Sequence, residues 1–219
     1  SARRTPPPHA ASQPRRCQPQ HAGQHVDHVR RGALLQPYRC GGGRRWLRSG
    51  PTGIDVLDDG CKVVCSQHRI MKVAPDGTLA VLAGSGNAAF GDGQGAAASF
   101  NSPKDVAVDM HGFVYVADQS NHRICKIAHD GTVTTLAGNG SGTFGDGQGT
   151  AAHFYSPTGV AVDGDGCVYV ADQSNHRIRK VTPDGTVTTL AGSGSGTFGD
   201  GQGVAAHFYN PTGVAVDGD

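Results

Sequence analysis

The sequence predicts an all-β chain built from four-stranded antiparallel sheets that repeat every 54 residues. The segment QHRI at 67–70 recurs as NHRI at 121–124 and 175–178, and GDGQG at 91–95 recurs with the same spacing. Self-similarity at a fixed period is typical of repeat architectures. The composition excludes a helical bundle, because all 18 acidic residues are Asp, none is Glu, and 34 of the 219 residues are Gly.

Each repeat contains four short runs rich in β-branched residues, separated by turn residues. In the third copy these runs are GVAV at 159–162, CVYVA at 167–171, RIRKV at 177–181 and TVTTLA at 186–191. The connections contain Asp-Gly pairs, which suit the tight turns of antiparallel hairpins. Four strands per repeat, repeated radially, predict the blades of a β-propeller.

Several motifs of the third copy recur in order and carry a resemblance to a known family. PTGVAVD, GCVYVAD, NHRIRKV and GTVTTLAG, at 157–163, 166–172, 175–181 and 185–192, resemble the NHL repeat. The resemblance implies a propeller of about six blades, so three copies predict a partial propeller that needs further blades to close the ring. We therefore expect propeller repeats over 51–219, with blades at about 51–84, 103–138 and 157–192 and a first strand at 211–217.

The first blade is expected to be degraded. Its run CKVVCSQHRI, from Cys61, is two residues shorter than CVYVADQSNHRI of the third copy. Lys62 then falls where the third copy has Val168. We interpret the gap as the loss of an Ala-Asp pair whose carboxylate binds turn amides, which predicts poor packing on the open side of this blade.

Residues 1–50 differ from the rest of the chain and are expected to be disordered. They carry ten Arg against one Asp, and residues 30–48 show no hydrophobic period of 2 or 3.6. When the reading frame is shifted by one base, the codons of 30–48 can encode the repeat found at 150–168, with Val in place of Thr150. This predicts a non-native, out-of-frame segment, and the chain is interpreted as a fragment.

The charge of the repeats bears on the class of partner. Residues 51–219 carry nine Lys or Arg against 17 Asp. Phosphate contacts require clustered Lys and Arg, so this balance disfavours nucleic acid and leaves a protein or a carbohydrate as the expected partner. No apolar run approaches the length of a membrane-spanning helix, and we expect no membrane contact and no cofactor. The candidate partner-binding residues lie in two recurring turns: Asp118, Gln119, Asn121, Asp172, Gln173 and Asn175.

Two recurring patterns also raise the possibility of metal binding. His68, His122 and His176 recur once per blade, with a second series at His153 and His207. Imidazoles bind zinc, but side chains on separate blades lie too far apart unless they line the axis, so packing or hydrogen bonding within each blade is favoured. Asp163-Gly164-Asp165-Gly166 resembles the start of a calcium loop, yet it lacks the later ligands, and a hairpin turn is favoured.

A catalytic interpretation rests on a trio that recurs in the second and third copies. Asp118, Ser120 and His122 contain the residue types of a hydrolase triad. Because the same three types recur with the turn, we interpret them as turn chemistry and expect no enzyme activity. The sequence therefore predicts a non-catalytic scaffold that binds a partner through loops at one propeller face. The alternatives are a propeller enzyme of the lyase or lactonase kind with an axial metal, and a non-functional gene-model fragment.

Overall fold

The computed structural model describes residues 53–217, which form three antiparallel sheets arranged as consecutive blades. The strands of the first sheet are β1 (Ile54–Val56), β2 (Lys62–Ser66), β3 (Arg69–Val73) and β4 (Leu79–Ala83). Those of the second are β5 (Gly93–Gln94), β6 (Pro103–Val108), β7 (Val114–Asp118), β8 (Arg123–Ile127) and β9 (Thr132–Ala137). Those of the third are β10 (Gly147–Gln148), β11 (Pro157–Val162), β12 (Val168–Asp172), β13 (Arg177–Val181) and β14 (Thr186–Ala191).

Each blade is a meander of four strands that pair in sequence order. The second and third blades gain a fifth strand, β5 or β10, from the linker that precedes them. These short strands pair with the outer strands β9 and β14. The first strands β1, β6 and β11 contact one another between blades, so they lie on the inner side of the array. Each linker therefore joins one blade to the outer edge of the next.

The core lies between the blades, where the sheets pack face to face. Val63, Cys65 and Ile70 of the first blade pack against Val116 and Phe100, which are both fully buried. A second cluster joins the next two blades through the buried residues Tyr115, Phe154, Val168, Val170 and Val187. A four-stranded sheet has two apolar faces, and stacking covers them only when a neighbouring blade is present.

The structure confirms the predicted all-β class and the four-stranded antiparallel blades, arranged as an open array. Residues 211–217 form no strand, unlike the prediction, because the part of the chain that the structure describes contains no following strand with which they could pair. The predictions for residues 1–50 lie outside the described residues.

The gap in the first blade falls in a different place from the one predicted. The register pairs Ser66 with Arg69, as Asp172 pairs with Arg177 in the third blade. Ser66 therefore takes the position of the aspartate, and the two missing residues come from the turn that follows it. The carboxylate is absent from this blade by substitution, and the turn between β2 and β3 is shortened to two residues.

Candidate functional site

Two kinds of connection meet at one end of the blades. In each meander the turn between the second and third strands lies at the same end as the linker to the next blade. Two of these turns contain short 3-10 helices, Gln119–Asn121 and Gln173–Asn175. We call this end the loop face; it comprises the turns 118–122 and 172–176 and the linker segments 84–102, 138–156 and 192–210.

Asp118 joins its turn to the preceding linker from a fully buried position. Its Oδ1 accepts a hydrogen bond of 2.8 Å from the backbone N–H of Asn101, and its Oδ2 accepts one of 2.7 Å from Asn121 Nδ2. Burial raises the pKa of this carboxyl to about 7, although both hydrogen bonds favour the charged form. Asp118 therefore anchors the turn without a buried cation beside it.

Asp172 makes the same contacts in the third blade and adds an ion pair. Its Oδ1 accepts from the backbone N–H of Tyr155 at 2.8 Å, and its Oδ2 accepts from Asn175 Nδ2 at 2.8 Å. Arg179 Nη1 lies 2.8 Å from the same Oδ2, and both side chains are fully buried. Burial raises the pKa of Asp172, while the guanidinium opposes this shift. In the second blade Cys125 pairs with Val116 as Arg179 pairs with Val170 in the third, so a cysteine takes the place of this arginine.

These contacts change the interpretation of the predicted site residues. Asp118, Asp172 and Asn175 are buried and hold the turns to the linkers, so they do not offer their side chains to a partner. Asn121 is partly exposed, but its Nδ2 also donates to Ala89 O at 2.9 Å. Gln119 and Gln173 are partly exposed and lie on the loop face. These residues recur in the sequence because they stabilise the turn.

Exposed aromatic side chains on the loop face were missed by the sequence interpretation. Tyr155 is 43 % exposed and lies two residues before β11, and Tyr209, which is 70 % exposed, holds the equivalent position in the next copy of the repeat. Tyr155 packs edge-on against His122 with ring centroids 5.5 Å apart, and Tyr209 stacks on His176 at 5.8 Å. We call these four residues the aromatic rim. When the copies are aligned, Asn101 takes the place of Tyr155 and Tyr209. This difference between copies is the feature of the sequence that could have identified the exposed tyrosines.

The recurring histidines of the first series connect consecutive blades. Nδ1 of His68, His122 and His176 accepts a hydrogen bond of 3.1 Å from a backbone N–H at the end of the linker that leaves its blade. The donors are Ser102, Ser156 and Asn210. The prediction that each histidine bonds within its own blade was therefore wrong, because the donor lies in the linker that follows. Burial lowers the pKa of His122, which favours the neutral ring that accepts this bond. Within residues 53–217 no group of three or more His, Cys or Asp side chains is placed to hold a metal ion.

The remaining candidate motifs form local structure. His153 Nδ1 lies 2.8 Å from Thr143 Oγ1, and His207 makes the equivalent contact with Thr197 Oγ1 at 3.1 Å. Asp163 Oδ1 accepts from the backbone N–H of Cys167 at 2.8 Å, as expected of a hairpin turn. Its Oδ2 accepts from the hydroxyl of Tyr169 at 3.0 Å.

Linker phenylalanines pack against arginines of the following blade. The guanidinium of Arg123 lies 3.8 Å from the ring centroid of Phe90, and Arg177 lies at the same distance from Phe144. A cation over an aromatic face is attracted by the ring quadrupole. These pairs fix the linker against the next blade at the outer side of the loop face.

Comparison with known proteins agrees with this architecture. The family model of the NHL repeat matches residues 100–127 and 154–181. NHL repeat-containing protein 2 of Gallus gallus is 41 % identical over 95 residues, covering 42 % of this chain and 13 % of that protein. The protein SUPPRESSOR OF QUENCHING 1 of Arabidopsis thaliana is 36 % identical over 91 residues, covering 41 % and 9 %. The chain thus spans a small part of these relatives.

Solved structures show the same fold. A structural genomics protein from Bacteroides thetaiotaomicron superimposes with a TM-score of 0.64 at 22 % identity, covering 77 % of this chain and 42 % of that one. An auxiliary nutrient binding protein from the same organism gives a TM-score of 0.59 at 21 % identity, covering 76 % and 43 %. Among residues 53–217, no helix has the length and apolar character required to cross a bilayer. The chain thus contains NHL repeats at 100–127 and 154–181, and its blades have the fold of a β-propeller.

Proposed function

We propose that this chain is a non-catalytic scaffold that binds a protein partner through the loop face. The observation that carries the proposal is the aromatic rim, in which Tyr155 and Tyr209 are exposed although their neighbours are held in place. The backbone N–H of Tyr155 is bonded to the buried carboxylate of Asp172, which is itself paired with Arg179. A rigid blade thus presents an aromatic side chain on a fixed loop.

Tyrosine suits this role because its ring is apolar and its hydroxyl is a hydrogen-bonding group. Such side chains are enriched in protein interfaces and cost little conformational entropy when they become fixed. Loops on a rigid scaffold are the usual position of binding residues. Asp92 and Asp200 are exposed in the linkers of this face, which gives it acidic as well as aromatic groups. Asp146 is instead paired with Arg179. These features favour a partner with basic and apolar side chains.

The absence of catalysis is part of the proposal and is supported by the contacts of the recurring trio. Asp118 bonds to Asn101 and Asn121, and the Nδ1 of His122 accepts from Ser156. A triad requires the carboxylate to orient the imidazole beside the nucleophile. The carboxylate and the imidazole instead have separate structural partners.

Site-specific photo-cross-linking tests the proposal. A benzophenone amino acid is placed at Tyr155 or Tyr209, and at Met110 in a second variant. Met110 is 67 % exposed in the hairpin at the opposite end of the second blade, so it is a matched control. Irradiation in an extract of the source cells should give one discrete protein adduct from the loop face and none from Met110. Equal labelling from both ends, or adducts with carbohydrate alone, would contradict a protein partner at this face.

A further inference from the structure

Arg179 of the third blade fills a buried site made of oxygen acceptors and aromatic rings. Its guanidinium donates over 2.6–3.1 Å to two carboxylates and two backbone carbonyls, those of Asp172, Asp146, His153 and Gly145. The ring centroids of Phe144 and Phe154 lie 4.9 and 5.3 Å from its central carbon. Acceptors on two edges and aromatic rings alongside suit the planar, forked guanidinium group.

The second blade repeats this site but has Cys125 where the third blade has Arg179. The groups equivalent by the 54-residue repeat are the carboxylates of Asp118 and Asp92, the carbonyls of Ser99 and Gly91, and the rings of Phe100 and Phe90. Burial raises the pKa of the Cys125 thiol, and the charges of the two aspartates raise it further, so both carboxylates lie near the sulfur. The acceptors are therefore kept although the arginine is not.

The same contacts hold these acceptors in both blades. Asp118 accepts from a linker backbone N–H at 2.8 Å, the distance found in the third blade. Asp92 and Asp146 each accept from a threonine hydroxyl of the adjacent outer strand, at 3.0 and 3.1 Å. The backbone bridge between Gly91 and Ser99 also recurs in the third blade. The frame around the missing guanidinium is therefore the one that surrounds Arg179.

Arg123 lies near this site but has a place of its own. Its guanidinium donates to Asn121 O at 3.2 Å and to Asn139 O at 2.7 Å, and it lies over the ring of Phe90. Arg177 makes the equivalent contacts in the third blade, where Arg179 is present as well. Arg123 is thus the counterpart of Arg177 and does not replace the missing arginine.

The first blade changes both members of the pair together. Ser66 takes the position of the aspartate and Met71 that of the arginine, so neither charge is present. A buried carboxylate is costly unless a cation or hydrogen bonds compensate for its lost hydration. Among the three described blades, the second is the one that retains the carboxylate, at Asp118, without the arginine.

The missing part of the side chain defines the size of a ligand. In the shared frame, Sγ of Cys125 stands for Cγ of Arg179, so the atoms left out are the next methylene carbon and the guanidinium. Together these are methylguanidinium. A metal ion fits less well, because in residues 53–217 no three His, Cys or Asp side chains are placed to hold one.

We propose that the second blade binds the guanidinium group of a ligand between Asp118 and Asp92, in the place that Arg179 fills in the third blade. A small free guanidinium compound and an arginine side chain of a partner carry the same group. The free compound needs only the space beyond Cys125, whereas an arginine side chain has to enter past Asp92, which is exposed. Neither depends on the aromatic rim.

Titration with methylguanidinium chloride at constant ionic strength tests the proposal. It is done at pH 8, where Asp118, with a pKa of about 7, is charged. The ¹⁵N NMR signals of the Asn101 backbone and the Asn121 side chain, which donate to Asp118, should shift with a dissociation constant on the order of 1 mM. The matching signals of Tyr155 and Asn175, beside the filled site, should not shift.

Three variants show whether the shifts come from this site. Cys125→Arg fills the site from within the chain and should abolish them. Asp118→Asn removes a charged acceptor and should raise the dissociation constant at least roughly tenfold. Arg179→Ala empties the equivalent site and should add shifts at Tyr155 and Asn175. Far-UV circular dichroism checks the fold of each variant, and the first two decide the question if Arg179→Ala does not fold.

Two further ligands test the chemistry and the source of the group. Methylammonium has the charge without the fork and should bind at least roughly tenfold more weakly. Shifts with N-acetylarginine amide would support an arginine side chain as the ligand, and shifts with methylguanidinium alone would support a small free compound. The proposal is overturned if the Asn101 and Asn121 signals show no saturable shift, if Cys125→Arg responds like wild type, or if methylammonium binds equally well.

Discussion

The buried carboxyl of Asp118 should make the stability of this chain fall as the pH rises from 4 to 7. Burial raises its pKa from 3.8 to about 7, so the folded protein binds a proton that the unfolded chain has lost over this range. The free energy of unfolding then falls by about 1.4 kcal/mol per pH unit from this group, about 4 kcal/mol in all, and is level above pH 7. The stabilisation is complete below pH 4, and it is lost as the pH rises through the folded-state pKa.

Substitution Asp118→Asn isolates this contribution, because an amide does not titrate. Urea unfolding followed by far-UV circular dichroism at pH 5 and pH 8 gives the free energy of unfolding of both proteins. Asn at 118 should cost about 3 kcal/mol more at pH 5 than at pH 8, since the wild-type carboxyl is neutral only at the lower pH. Other titrating groups, including His122, act on both proteins and cancel. An equal cost at both pH values would refute the reasoning.

The ion pair of the third blade suggests a second variant that tests the carboxyl of Asp118. Arg179 neutralises Asp172 there, and Nη2 also donates to Gly145 O at 2.9 Å and to Asp146. Substitution Cys125→Arg should place a guanidinium beside Asp118 and hold its pKa down. The variant should be about 1–3 kcal/mol more stable than wild type at pH 8, with little pH dependence left between 5 and 8. If the pH dependence is unchanged, the two blades do not share this pocket.

Two further substitutions test the packing between blades and the buried ion pair, and both are measured by urea unfolding at pH 7. A Cβ on Gly159 would lie 2.7 Å from Gly213 Cα, whereas one on Gly164 would meet nothing within 4 Å. Gly159→Ala should therefore destabilise the chain by about 1–3 kcal/mol, and Gly164→Ala should change its stability by less than about 0.5 kcal/mol. Arg179→Met should cost about 3–5 kcal/mol because it leaves the Asp172 carboxylate buried without its cation, and adding Asp172→Asn should recover part of this loss.

The sequence predicts the blades because their signals are local. Alternation of β-branched residues and the Asp-Gly turns fix each strand and hairpin, and the repeat then requires stacked sheets. The third blade's β13 and β14 begin and end at the predicted residues, 177–181 and 186–191. The failure at 211–217 has the converse cause: a strand needs a partner, and sequence alternation alone does not supply one.

The contacts of the site were less predictable because they join residues far apart in the chain. His122 accepts from Ser156 across 34 residues, and Asn121 donates to Ala89 across 32. Spacing within one repeat gives no indication of a bond to the next. The positive φ of His122, 55°, is also invisible in sequence, although it sets the direction in which the ring meets the following blade.

Differences between the copies are a better guide to recognition than their recurring residues. A residue that recurs between turns, as Asp118 and Asp172 do in the second and third blades, has the same structural task in both, and both side chains are fully buried. The positions that vary on the loop face, Asn101 against Tyr155 and Tyr209, change the exposed surface while the turns beneath remain the same. A partner that distinguishes one blade from another must therefore contact such positions, because the hydrogen bonds that support the two turns are the same.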